Sequence, residues 1–409
     1  MDGFAAQRAS QRSEAGDLQR LIEAGLRVAL VQDALPFVGG AEKLLQAAWE
    51  LFPDAPLYTL VYNREAFAGT SFAGKRIFSS PLDRLPGVRK NHRRYLPLFP
   101  LAIERIDLRG YDLVLSFSYA VAHGVVVRPD QLHVSLVHTP LRYAWQYYHQ
   151  YFEEAGLRSG PRAWLAQLAL HYLRLWDRAA ASRTDSFVAV SSWVARCVWR
   201  AYRRRARVIY PPVEVEKFRP RPPRENYYVA ISRLTLPKKV SLMVEAFTQL
   251  GLPLLVIGEG SESRRLERLA GPNVRLLGWQ PDSAVQELLG KAKGFVHAAE
   301  EDFGIALVEA QAAGCPVIAY GSGGATETVI HNETGLLYPE QSVEALCAAV
   351  ASFEAGEYDF DPAGLQANAR RFSRERFQQA LAGHLADEWA RFTQEKPDHV
   401  SREQAGLRA

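Results

Sequence analysis

Short apolar runs alternate with amphipathic stretches along this chain, and glycine- or proline-bearing loops separate them. In the first half, the run 26–31 is followed by Gly39-Gly40 and by an amphipathic segment over 41–51. That order predicts strand, glycine loop, helix. Further strands are predicted at 113–116, 134–137 and 186–190. A long amphipathic helix is predicted over 162–182, with Trp164, Leu168, Tyr172 and Trp176 near helical spacing. The second half repeats the alternation more cleanly. Strands are predicted at 227–231, 254–257, 274–277, 294–297 and 316–319, interleaved with helices at 239–250, 261–270, 284–292, 305–313 and 343–353. Strands alternating with helices imply parallel sheets covered on both faces.

Five prolines between 211 and 223 interrupt the pattern. Proline fixes φ and discourages continued regular structure, so the domain boundary is expected near residue 210. The expected organisation is an irregular extension over 1–24, a Rossmann-like domain over 25–210 and a second over 211–372. A C-terminal helix over 373–395, packing back on the first domain, and a flexible tail over 396–409 complete it. In open parallel sheets, ligands bind at the carboxyl ends of the strands, so the loops after strands are where chemistry is sought.

Composition narrows the class. The 409 residues are 48% hydrophobic and 23% charged, ordinary globular values that exclude a mostly disordered or fibrous chain. The apolar stretch 113–127, free of Asp, Glu, Lys and Arg, falls short of the roughly 20 residues of a membrane span. The first 21 residues lack the apolar run of a secretory signal. Cys197, Cys315 and Cys347 lie far apart, so a disulfide framework or a Cys-based zinc site is not expected, and a reducing cytoplasmic compartment fits.

The net charge of +4 hides a split. Residues 1–210 carry 28 Lys+Arg against 18 Asp+Glu, and residues 211–409 carry 21 against 27. The basic half is expected to face an anionic partner. Its clusters are 84–109, where arginines mix with Tyr95, Leu96, Leu98, Phe99 and Leu101, and 200–207. Basic residues beside apolar ones suit an anionic leaflet. Neither cluster carries a recognised nucleic-acid module. Gly258-Glu259-Gly260 does not complete a dinucleotide fingerprint.

The richest segment runs from His297 to Pro316. A strand ends, a polar loop carries Glu301, and a helix begins near Gly304. On one continuous helix Glu301 and Glu309 would be about 80° out of register. They cooperate better with Glu301 in the loop and Glu309 on the helix. The helix start suits a phosphate, and a carboxylate at Glu309 suits paired ribose hydroxyls. Glu301-x7-Glu309 with Ala310, Gly314 and Pro316 resembles the signature of family 4 glycosyltransferases of the GT-B fold.

The resemblance implies two Rossmann-like domains facing a central cleft and transfer of a sugar from a nucleotide diphosphate with retention of configuration. Arg233 and Lys238 resemble the family's cation pair on the donor diphosphate. Lys239-Val240 stands where the family's glycine follows the lysine, which leaves Lys238 and Lys239 in competition; spacing from Arg233 favours Lys238. Gly39 and Gly40 resemble the glycine-rich loop that approaches the donor. Gly323-Gly324 with Glu327 resembles a closing loop near the donor sugar, whereas Gly335 reads as structural.

The HTPxRYxW pattern from His138 to Trp145 resembles bacterial enzymes of O-antigen and exopolysaccharide assembly, often mannosyltransferases. The implied catalytic set is Glu301, His138, Arg233 and Lys238. Donor contacts are implied at Gly39, Gly40, Lys239, Phe303, Gly304, Ile305 and Glu309. The implied donor is GDP-mannose, with UDP-hexoses open, and the implied acceptor is a lipid-linked saccharide at the inner face of the cytoplasmic membrane. No cofactor and no metal are expected. Asp359-x-Asp361 has the form of a metal-holding pair but sits late in the chain. A non-catalytic nucleotide-binding protein of the same fold is the rival reading.

Overall fold

The computed structural model describes residues 16, 21, 25–154, 156–157 and 159–394. The expected extension (apart from residues 16 and 21) and the tail lie outside them. The chain separates into two compact units. The first comprises residues up to 190 with 194–209 and the stretch from 377; the second comprises 191–193 and 210–376.

The first unit is built on a seven-stranded sheet in the order β3-β2-β1-β4-β5-β6-β7. Its strands are β1 (Val28–Gln32), β2 (Leu57–Thr59), β3 (Ile77–Ser79), β4 (Leu113–Ser118), β5 (Leu132–Val137), β6 (Ser186–Ala189) and β7 (Ala206–Val208). All pairings are parallel. Every residue of β1, β4 and β5 is buried, as in a sheet covered on both faces. Asp33, just past β1, is fully buried and accepts four backbone N–H groups, from Tyr119, Ala120, Val121 and Ala122, at 2.6–2.9 Å. One carboxylate thereby ties the loop after β4 to the end of β1. From the C-terminal helix Arg374–Gln394, Gln378 donates to Ala47 O and Glu50, and His384 Nε2 lies 3.1 Å from Ser186 Oγ.

The second unit carries a six-stranded parallel sheet in the order β10-β9-β8-β11-β12-β13. Its strands are β8 (Tyr228–Ile231), β9 (Leu254–Ile257), β10 (Val274–Gly278), β11 (Gly294–His297), β12 (Val317–Tyr320) and β13 (Gly335–Tyr338). Alternate residues feed opposite faces. Val229, Phe295, Val317 and Ala319 pack in one core; Tyr228, Ala230, Val296 and Ile318 pack in the other. The strand order reverses between β8 and β11, so this pair is the topological switch point of a doubly wound sheet. Gly335 opens β13 beneath β12, where a Cβ would lie 2.1 Å from Val317 O.

The expected elements sit within a few residues of the observed ones. Three-residue strands β2, β3 and β7, strand β13, and helices Phe99–Glu104, Ser192–Tyr202 and Pro362–Arg370 are additional to them.

Candidate active site

The site of the second unit forms where the switch point requires it. The loop after β8 carries Arg233, exposed, and the short turn Leu236–Lys238. The loop after β11 carries Glu301 and leads through Gly304 into helix Ile305–Ala312. Because β8 and β11 are neighbours, the two loops meet. Lys238 Nζ donates to both carboxylate oxygens of Glu301, at 2.6 and 2.7 Å. Burial pushes the Glu301 carboxyl up, but the charge and hydrogen bonds of Lys238, with the His297 ring close by, hold it well below the ordinary glutamate range. Glu301 is therefore an anion held against a cation.

The loop has a rigid backing. Gly324 N–H donates to Glu301 O at 2.7 Å, and Ser322 Oγ donates to Glu300 at 2.5 Å. A Cβ on Gly324 would lie 2.3 Å from Phe303 Cα, so glycine lets the strap lie flat on the acidic loop. Gly304 enters the helix at φ 90°, a conformation that favours glycine. Glu309 is half-buried on the second turn of that helix. The four residues thus divide into a contacting pair, Lys238–Glu301, with Arg233 on the lysine's loop and Glu309 on the helix that follows the glutamate's.

Three sequence expectations acquire a different content. Phe303 is 4% exposed, its ring against Tyr210 and Phe372; the side chain belongs to the core, so only its backbone is left to meet a donor. Lys239 stands at φ 51°, ψ 32°, capping helix Val240–Leu250 in the left-handed region, while Lys238 holds Glu301. Glu327, expected beside the donor sugar, accepts the Tyr210 hydroxyl at 3.1 Å. Ile305 begins its helix half-buried.

His297, which sequence reasoning passed over, ends β11 and places Nε2 3.4 Å from Glu301 Oε1. Its signal was the strand-end position four residues before the glutamate.

In the first unit, His138 directly follows β5 and its N–H donates to Ser118 O at 2.8 Å. Burial, helped by the charge of Arg142, lowers its pKa to about 4. The ring is therefore neutral near pH 7 and can donate or accept a hydrogen bond. Trp145 of the same motif donates through Nε1 to buried Asp177 at 2.7 Å, which is a structural part. Gly39 and Gly40 start helix Gly40–Trp49, and the Gly39 N–H donates to Glu42 Oε2 at 2.9 Å.

Asp361, from the pair considered for a metal, accepts the N–H of Ala363 and Gly364 and caps helix Pro362–Arg370. Among the described residues, no group of three or more His, Cys, Asp or Glu side chains is arranged to hold a metal ion. Among them too, no helix is long and apolar enough to cross a membrane.

Two Rossmann-like units of this kind define the GT-B fold. The crystal structure of Anabaena Alr3699/HepE in complex with UDP shares it, with a TM-score of 0.63 at 18% identity, over 88% of this chain and 100% of that one. Residues 214–375 match the family model "Glycosyl transferases group 1".

Two curated relatives align in part. One is the GDP-mannose-dependent alpha-(1-6)-phosphatidylinositol monomannoside mannosyltransferase of Mycobacterium tuberculosis. It is 32% identical over 200 residues, 41% of this chain and 52% of that protein. The other is the amylovoran biosynthesis glycosyltransferase AmsK of Erwinia amylovora, 30% identical over 159 residues, 35% of this chain and 39% of that protein. The chain thus spans about half or less of the length of these relatives.

Proposed function

We propose that the protein is a retaining glycosyltransferase of family 4 that moves a hexose, mannose from GDP-mannose, onto a lipid-linked saccharide. The observation that carries this reading is the Lys238–Glu301 pair at the switch point between β8 and β11. Arg233 and Lys238 supply two cations for a diphosphate and for the charge it gains as it leaves. The first turn of helix Ile305–Ala312 adds backbone N–H groups, and Glu309 accepts from the ribose hydroxyls. On arrival, the donor diphosphate competes with Glu301 for Lys238, which turns the carboxylate toward the sugar.

In the reaction, the acceptor hydroxyl oxygen bonds to the anomeric carbon as the bond to the diphosphate oxygen breaks. The nucleoside diphosphate leaves with the electron pair and takes the hydroxyl proton on its phosphate, on the face where the bond broke. Arg233 and Lys238 here fill the counter-charge role that a divalent ion fills elsewhere, so chelation with EDTA is expected to leave turnover unchanged. The resemblance implies donor-side roles for His138 and for Gly39-Gly40 of the first unit as well. The work is assigned to the inner face of the cytoplasmic membrane.

The mannosyl donor is favoured by the GDP-mannose-dependent relative. A UDP-sugar is the second reading, favoured by the UDP complex of the structural neighbour. Thermal-shift titration separates them, because a ligand that binds the native state raises apparent stability. GDP-mannose is expected to raise the melting temperature of the wild type and not of a Lys238→Ala variant. A shift with a UDP-hexose alone moves the donor and keeps the class; no shift with any nucleotide sugar overturns the reading.

A further inference from the structure

Helix Pro161–Ala180 has two apolar faces. The inner one is conventional: Ala163, Leu170, Leu173 and Ala180 are buried. On the opposite side Trp164, Leu165, Leu168, Tyr172 and Leu175 are 65, 64, 44, 44 and 60% exposed. Spacings of four, four and three residues align Trp164, Leu168, Tyr172 and Leu175 in one stripe, with Leu165 beside it. An amphipathic helix of a folded unit normally turns polar residues outward. A contiguous outward apolar stripe marks an interaction surface.

The charges around the stripe select its partner. The exposed ionisable residues of the helix are Arg162, His171 and Arg178. Its one acid, Asp177, is 0% exposed and engaged by Trp145 and His123. The turn His92–Leu98 packs against the helix and adds exposed Arg93 and Arg94. It leads into helix Phe99–Glu104, where Leu101 is 60% exposed and Glu104 is taken by Trp176 and Arg183. The face is therefore apolar at its centre and cationic at its rim. Two copies of it would bring like charges together. An anionic bilayer answers both features, with acyl chains for the stripe and phosphates for the arginines.

We propose that this outward face docks the first unit on an anionic lipid surface, with Trp164, Leu165, Leu168, Tyr172 and Leu175 entering the headgroup boundary. In the second basic cluster Arg204 is engaged within the fold, donating to the carbonyls of Ala181, Thr184 and Asp185, while Arg200, Arg203, Arg205 and Arg207 are exposed. This inference deepens the reading of a lipid-linked acceptor and rests on it for its purpose, not for its geometry.

Co-sedimentation of the full chain with vesicles tests it, using phosphatidylcholine alone or with about one-third phosphatidylglycerol to supply an anionic surface. Wild type is expected to bind the anionic vesicles. The variant Trp164→Gln/Leu168→Gln/Leu175→Gln is expected to bind them at least tenfold more weakly, by roughly the loss of one apolar anchor or more. Its melting temperature should be unchanged, because all three side chains face solvent. Arg162→Glu/Arg178→Glu should weaken binding to anionic vesicles selectively.

Wild-type binding by the triple variant overturns the proposal. So does a wild-type dimer that the triple variant converts to monomer while neither binds vesicles, an outcome that assigns the face to a second copy. Vesicle binding without any nucleotide-sugar thermal shift sinks the glycosyltransferase reading and leaves the docking face standing; the reverse pattern does the opposite.

Discussion

The ends of the central strands are furnished differently in the two units. Past β5 in the first unit lies His138, and within β5 lies His133; burial lowers them to about 4 and about 3. The first unit's buried acid past β1, Asp33, is spent on four backbone N–H groups that fix a loop. Past β11 in the second unit, by contrast, Glu301 is held ionised against Lys238, with Arg233 nearby in sequence on the same loop as the lysine. Past its strand the first unit places one neutral ring, His138, while His133 stays buried within β5 against Ser116; the second unit places opposed charges. Neutral imidazole suits hydroxyl groups, whereas opposed charges suit a leaving diphosphate. The same doubly wound framework thus carries a neutral ring past one central strand and an ion pair past another.

The sharpest way to break that comparison is to remove one member from each side. Glu301→Ala is expected to lower turnover with the nucleotide sugar by about 10²–10³-fold, the usual scale for losing a preorganised charged group. His138→Ala removes a neutral hydrogen bond and should cost about tenfold. Steady-state rates, measured beside melting curves that show both variants folded, decide the order. A larger loss at His138 would reverse the assignment of charge chemistry to the second unit.

Acid separates the units next. His133 is 0% exposed, with Nε2 2.8 Å from Ser116 Oγ, and its folded value of about 3 lies below the ordinary 6.5. Its contribution is complete above pH 6.5. It declines as the unfolded chain binds a proton and is lost by about pH 3. Between pH 7.5 and 4.5 the wild type should lose about 2–3 kcal/mol relative to His133→Gln, from roughly two pH units at about 1.4 kcal/mol each.

Asp33 and Asp185, which burial raises, act in the opposite sense, so the variant difference is the readout. Glu301 is depressed, so its contribution persists down to the ordinary glutamate value of 4.5 and is lost as pH falls through the folded value. Urea denaturation at pH 7.5 and at pH 5 should therefore show a changing difference for His133→Gln and a constant one for Glu301→Gln.

The second unit was largely legible in the sequence, because five of its six strands stand out as short, mostly apolar runs bounded by turn residues. The first was less so. Strands β2, β3 and β7 are three residues long and carry no period of their own; they exist because neighbouring strands offer a ladder. Asp33 reaches residues more than 80 positions away, which no local pattern reveals. In helix Pro161–Ala180 the period announced a helix, but with apolar residues on two sides only coordinates tell which is inside. The Lys238–Glu301 contact spans 63 residues. It was approached through the resemblance of two separate motifs, not through spacing. The core role of Phe303 was hidden for the same reason: its ring is claimed by Tyr210 and Phe372, both remote in sequence.

Lys239 gives the smallest effect and the finest distinction. At φ 51° and ψ 32° it occupies the left-handed region, which costs a residue with a Cβ roughly 1–2 kcal/mol. Lys239→Gly removes that strain and lifts a positive charge from a helix N-terminus, where the dipole disfavours it. Against this, glycine loses about 0.5–1 kcal/mol more backbone entropy on folding. The balance is a gain of roughly 0.5–1 kcal/mol, read as an increase of about 1–3 °C in melting temperature for a unit of this size. Lys239→Ala removes the charge and keeps the strain, so it should recover little. Equal gains from both would trace the cost to charge. The same two variants settle which lysine grips the donor. With Lys238 in that role, neither diminishes the nucleotide-sugar thermal shift, whereas loss of the shift in both would move the grip to Lys239 and leave Lys238 as the partner that orients Glu301.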